Sequence, residues 1–107
     1  MTAKPVIRRA TAQRDIDEAI DYYLREAGDR VALRFIGAIE DAFRAIGQSP
    51  AAGSPHWAHE LDLRGLRSRQ TKRFPYLVFY LERVDHIDVW RVLHARRDIP
   101  AWLQSDG

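Results

Sequence analysis

The spacing of apolar residues changes along the chain, and each change marks an element. In Pro5-Val6-Ile7-Arg8-Arg9-Ala10 the period is two: Val6, Arg8 and Ala10 share one face and Ile7 and Arg9 the other, which predicts a short strand. From Thr11 the period lengthens. Ile16, Ala19, Ile20, Tyr23 and Leu24 stand at i, i+3, i+4, i+7 and i+8, one stripe of an amphipathic helix. Asp15, Asp17, Glu18 and Asp21 are expected in its first half, where the helix dipole favours carboxylates. Gly28 supplies a C′ residue able to take positive φ, and Asp29 is the expected N-cap of a second helix. That helix carries Ala32, Phe35, Ile36, Ile39, Phe43 and Ile46 at helical spacing and is expected to end at Gly47 and Pro50. Two helices so closely joined form an antiparallel hairpin.

After the loop Ala51-Ala52-Gly53-Ser54-Pro55 the period shortens again. Leu61, Leu63 and Leu66 lead a first strand, with Gly65 marking a bulge or a close backbone approach. Phe74-Pro75-Tyr76-Leu77-Val78-Phe79-Tyr80-Leu81 is almost continuously apolar, as a strand covered on both faces would be, with Pro75 at its beginning. Arg83-Val84-Asp85-His86 makes the turn into a last strand, where Ile87, Val89, Arg91 and Leu93 alternate with Asp88, Trp90 and Val92. Asp98 then caps a short helical turn through Leu103, and Gln104 to Gly107 read as a frayed end. The expected fold is α+β: an N-terminal strand, an antiparallel helical hairpin covering one face, then a three-stranded antiparallel meander with a short C-terminal helical turn.

Size and composition narrow the chemistry. A chain of 107 residues is one domain, expected to run from 1 to 107. Cys is absent, which removes disulfides, thiolate catalysis and Cys-ligated metal centres. No apolar run is long enough to span a bilayer, and Met1 to Pro5 shows no secretory signal, so a cytoplasmic protein is expected, with no membrane partner. The net charge of +2 conceals a basic stripe in which Arg64, Arg67, Arg69, Lys72 and Arg73 face only Asp62. Such a stripe attracts phosphate or an acidic protein surface, or is simply a solvated strand and turn.

Catalytic signatures are sparse. His56 and His59 lie beside Glu60 in an expected loop, but zinc wants a third ligand and neither His86 nor His94 is spaced to supply it, so no metal site and no cofactor are expected. No nucleophile elbow, phosphate loop or dinucleotide fingerprint occurs. Asp17 and Asp21 share a helix face, better read as solvated than as an acid/base pair. The segment Arg91-Val92-Leu93-His94-Ala95-Arg96-Arg97-Asp98 offers the best candidate site. His94 transfers protons near neutral pH and Arg96 and Arg97 grip phosphate, which permits a metal-independent ribonuclease. It equally permits an Asp98 cap with one of these arginines paired to a helix carboxylate.

Taken in order, Asp15-Ile16, Tyr22-Tyr23, Leu63-Arg64-Gly65-Leu66, Pro75-Tyr76-Leu77-Val78-Phe79-Tyr80 and the Arg91 to Asp98 segment resemble the ParE branch of the RelE/ParE superfamily of bacterial toxins, a likeness that extends to Leu103. The resemblance implies a toxin of a type II toxin–antitoxin system, held inactive by a ParD-like antitoxin and directed at DNA gyrase, with no direct sequence-specific nucleic-acid binding. The runner-up is a RelE-like ribosome-dependent mRNA endoribonuclease; a third reading is a binding module whose toxicity has been lost. Those ribonucleases commonly place an Arg directly after an aromatic residue at the start of the central strand, where this chain reads Pro75-Tyr76-Leu77. They also place a Tyr or His near the C-terminus, where this chain has Trp102, whose indole N–H is no base. Arg96 stands as the counterpart of a phosphate-stabilising Arg. The set is incomplete, so no catalytic residues are expected.

A non-enzymatic toxin needs adhesive surface. Arg96, Arg97 and Trp102, with Arg67 and Arg69, are the expected target-binding residues. Tyr22, Trp57, Arg73 and Trp90 are the expected antitoxin-binding residues, since aromatic and Arg side chains anchor interfaces. The alternative is that at least two of the aromatics Tyr22, Trp57, Trp90 and Trp102 are ordinary core residues, Trp90 first among them because it alternates with Asp88.

Overall fold

A computed structural model describes residues 3–104, with the backbone alone at Gln104. The elements are β1 (Val6–Arg8), α1 (Ala10–Glu26), α2 (Asp29–Gln48), α3 (His56–Leu61), β2 (Leu66–Gln70), β3 (Tyr76–Glu82), β4 (Ile87–His94) and α4 (Ile99–Gln104). The strands form one sheet in the order β1-β4-β3-β2, antiparallel except for β1, which runs parallel to β4. The fold is thus the expected α+β arrangement. Of the end expected to fray, Gln104 closes α4 and residues 105–107 lie outside the described residues.

The stripe predicted for α1 and α2 meets one face of the sheet. Ile16, Phe35, Ile39, Ile46, Val78, Tyr80 and Val89 are all under 4% exposed in this main core. Gly28, at φ +91°, lets the chain leave α1 and enter α2 without a Cβ clash. Several boundaries differ from expectation. The first helix begins at Ala10, so none of its acids lies in the first turn. Gly28 takes the N-cap position of α2 and Asp29 is its first residue. Gly47 does not end α2 but lies inside its last turn, where a Cβ would meet the Lys4 carbonyl at 2.9 Å.

The other face of the sheet is covered as well. There α3 and α4 pack with Leu66, Phe79 and Leu93 into a second core, with Trp57, Leu61, Leu63 and Trp90 around it. His56 and His59, expected in a loop, therefore stand on α3, and Leu61 and Leu63 precede the strand rather than lead it. This second layer explains the unbroken apolar run of β3, whose Val78, Phe79 and Tyr80 are fully buried.

The strict alternation expected of β4 fails at one residue. Phe79 pairs with Arg91 and Tyr80 with Val89, leaving Trp90 as the extra residue of a β-bulge. Beyond it the faces exchange: Ile87, Val89 and Val92 face the main core, while Trp90 and Leu93 face the second. The bulge coincides with the end of β1, which pairs only as far as Val89. From there α1 protects the open edge of β4, Thr11 Oγ1 donating to the Trp90 carbonyl at 3.4 Å and Asp15 Oδ2 accepting the Val92 N–H at 3.0 Å.

Candidate functional site

Arg91 lies just past the bulge, and a cation buried within a strand demands an anion. Asp15 of α1 supplies it: Arg91 Nε and Nη2 each donate to a carboxylate oxygen at 2.8 Å, with both side chains below 10% exposed. The remaining arm of the guanidinium, Nη1, donates to the Trp102 carbonyl at 3.0 Å, tying α4 to the strand. Asp98 stands just before α4, its carbonyl accepting the Trp102 N–H at 3.1 Å and its side chain the Ala101 N–H at 3.4 Å, as the capping expectation requires. Trp102 is thereby fixed at the surface, 38% exposed, and the Arg97 guanidinium lies over its indole ring at 4.3 Å. Among the described residues neither Arg96 nor Arg97 pairs with a helix carboxylate; Arg91 occupies that role instead.

A cavity of about 590 Å³ opens beside this corner, between α1 and the ends of β3 and β4. Its walls include Glu18, Tyr22, Tyr76, His94, Arg96 and Arg97. Burial, aided by Arg96 and Arg97, lowers the His94 pKa below the usual imidazole range, so the ring is neutral at pH 7. Its Nδ1 accepts the Arg96 backbone N–H at 3.1 Å, which leaves Nε2 carrying the proton. Burial likewise raises the pKa of Tyr76, against the nearby Arg97, and that of Tyr23, keeping both phenols protonated. The corner thus presents hydrogen-bond donors and guanidinium charge beside aromatic surface. It suits an acidic or phosphate-bearing partner better than proton abstraction.

The residues singled out from the sequence are spread over the molecule. Arg96, Arg97 and Trp102 share the corner just described. Arg67 and Arg69 lie two strands away on β2, where Arg67 Nη1 donates to the Gly53 carbonyl at 2.7 Å and anchors the loop before α3. Tyr22 is 50% exposed on the cavity wall. Trp57 and Trp90 pack around the second core on the opposite face, and Trp90 is covered by the Arg9 guanidinium at 4.8 Å. Arg73 is exposed on the β2–β3 turn with φ +70°. The four residues expected to bind one antitoxin are therefore not one patch.

Asp15 and Arg91 were missed as site-building residues because their 76-residue separation has no periodicity. The available signal was Arg91 itself, a cation between the apolar Trp90 and Val92 in the middle of the last strand. Among the described residues no helix is long and apolar enough to cross a membrane.

Comparison with known proteins agrees with this architecture. No curated protein matches the sequence. A solved structure described as "Chromosomal ParDE TA system from P. aeruginosa" is similar in fold, with a TM-score of 0.74 at 20% identity over 88% of this chain and 98% of that one. Residues 6–99 match the family described as the ParE toxin of the type II toxin–antitoxin system, parDE. With the match covering most of the sequence, the chain belongs to the ParE toxin family.

Proposed function

We propose that the protein is a non-enzymatic cytoplasmic toxin that inhibits DNA gyrase and is neutralised by a ParD-like antitoxin. The observation that carries the reading is the chemistry of the corner formed by Arg96, Arg97 and Trp102. It offers two guanidinium groups and an ordered indole, while the neighbouring imidazole has its acceptor nitrogen occupied by the backbone. A ribonuclease needs a group that takes the 2′-hydroxyl proton, and neither Trp102 nor His94 in this tautomer supplies one. Rigid aromatic and Arg groups are what a protein target or a DNA backbone within a gyrase complex would be held by.

The test is the double substitution Arg96→Ala/Arg97→Ala. Growth inhibition and gyrase inhibition are expected to be lost, with antitoxin binding and the unfolding midpoint near wild type. A double variant that folds normally and remains fully toxic overturns the assignment of this corner.

A further inference from the structure

Away from that corner, two adjoining cavities of about 510 and 180 Å³ share Ala38, Asp41 and Lys72 and run along the outer face of α2. On the helix they follow positions 31, 34, 38, 41, 45 and 48, one continuous stripe about 26 Å long at 1.5 Å per residue. The floor is Val31, Ala38 and Ala45, closed at one end by Phe74. The rim is cationic: Arg34, Arg69, Lys72 and Arg73 line it, and none has a hydrogen bond or ion pair from its side chain among the described residues. The one carboxylate lining the groove, Asp41, is already paired with Arg44 at 2.8 Å.

Gly37, which also lines this groove, is the informative residue. It sits mid-helix, where glycine is the least favourable residue after proline. A Cβ built there meets nothing within 4 Å, in contrast to Gly47, where the Lys4 carbonyl blocks one. Among the described residues nothing requires glycine at position 37; a backbone approaching from outside would. Cations on an edge strand also serve to block unwanted strand pairing, but that role explains Arg69 and not Arg34, which is on α2.

We propose that this groove receives an acidic amphipathic helix of a partner protein, packed with its backbone close to Gly37 and its carboxylates against Arg34, Arg69, Lys72 and Arg73. The methyl-lined floor favours a helix with an apolar face over a phosphate backbone, which needs only the cations. On the reading given under Proposed function, the antitoxin is the partner that carries this helix.

The probe is a fluorescent synthetic helix of about 20 residues, long enough to span the groove, with Leu and Ala on one face and Glu flanking it, titrated into the full chain and followed by anisotropy. A scrambled peptide of equal composition, a DNA duplex and a ParD-like antitoxin are titrated in parallel. The patterned peptide is expected to bind and the scrambled one not. Lys72→Glu/Arg73→Glu should weaken the patterned peptide and the antitoxin by about tenfold or more. Gly37→Leu should abolish binding of both without lowering the unfolding midpoint. Equal binding of the scrambled peptide, unchanged peptide binding by both variants, or binding of the duplex but not the peptide overturns the groove. Antitoxin binding unchanged in both variants overturns the groove as its docking place while leaving the proposed function intact. A wild-type chain that takes the peptide but no antitoxin overturns the proposed function and leaves the groove.

Discussion

Asp15 and Arg91 form the best-buried ion pair among the described residues, and Asp15 also accepts the Val92 N–H while Arg91 also holds the Trp102 carbonyl. Four hydrogen bonds joining three elements, α1, β4 and α4, thus depend on one carboxylate and one guanidinium. Removing one member leaves the other charged and enclosed. Asp15→Ala or Asp15→Asn is expected to cost about 3–5 kcal/mol in chemical denaturation, a large part of the stability of a domain this size. Arg91→Met should be comparably severe. A loss below about 1 kcal/mol would mean that the pair is hydrated and contributes no more than an exposed one.

Local patterns made part of this fold legible in the sequence. Helical stripes in residues 11–46 announced the hairpin and its core because each helix packs along a single face. Gly28 announced the turn because few other residues accept its φ. The second layer was not legible: Leu61 and Leu63 at alternate positions read as a strand, yet they pack against the far face from α3 and the turn after it. Nor was the bulge at Trp90, since a single extra residue leaves both half-strands alternating and only inverts their phase. Arg97 does lie over Trp102 at the candidate corner, but the support of that corner by Asp15 and Arg91 is a long-range contact without local pattern.

Gly37→Ala should raise stability. Glycine at a helix interior costs about 1 kcal/mol relative to alanine, and the added methyl meets no atom of the chain. The expected increase is about 0.5–1 kcal/mol in the unfolding free energy. A decrease would show that the chain itself needs glycine there.

His94 should make stability pH-dependent in a defined direction. Its folded pKa lies below the unfolded value near 6.5, so the unfolded chain binds the proton first as pH falls. Stability contributed by keeping the ring neutral is therefore full above that value and lost as pH falls below it towards the folded pKa. Thermal midpoints of His94→Gln and wild type should converge or cross between roughly pH 7 and 5, the variant showing the flatter profile. Parallel profiles would contradict the assignment of a depressed His94 pKa.

Asp88 should act in the acid range. Burial alone would raise its pKa, but hydrogen bonds from Arg9 and Arg83 at 3.0 Å outweigh this and hold the carboxyl below the usual range. Its contribution is present above the unfolded pKa, near 3.9, and is lost as pH falls through the folded value. Asp88→Asn is accordingly expected to destabilise the chain at pH 7 and to narrow its deficit relative to wild type below about pH 4, measured by urea denaturation at both pH values.

Gyrase inhibition is measured by DNA gyrase supercoiling of relaxed plasmid in the presence of increasing amounts of the purified chain. Supercoiled product is expected to be lost progressively, to be restored by a ParD-like antitoxin and to be unaffected by the Arg96→Ala/Arg97→Ala variant; the opposite outcome overturns the proposed function. Undiminished supercoiling at concentrations of the chain that cleave ribosome-bound message would contradict it.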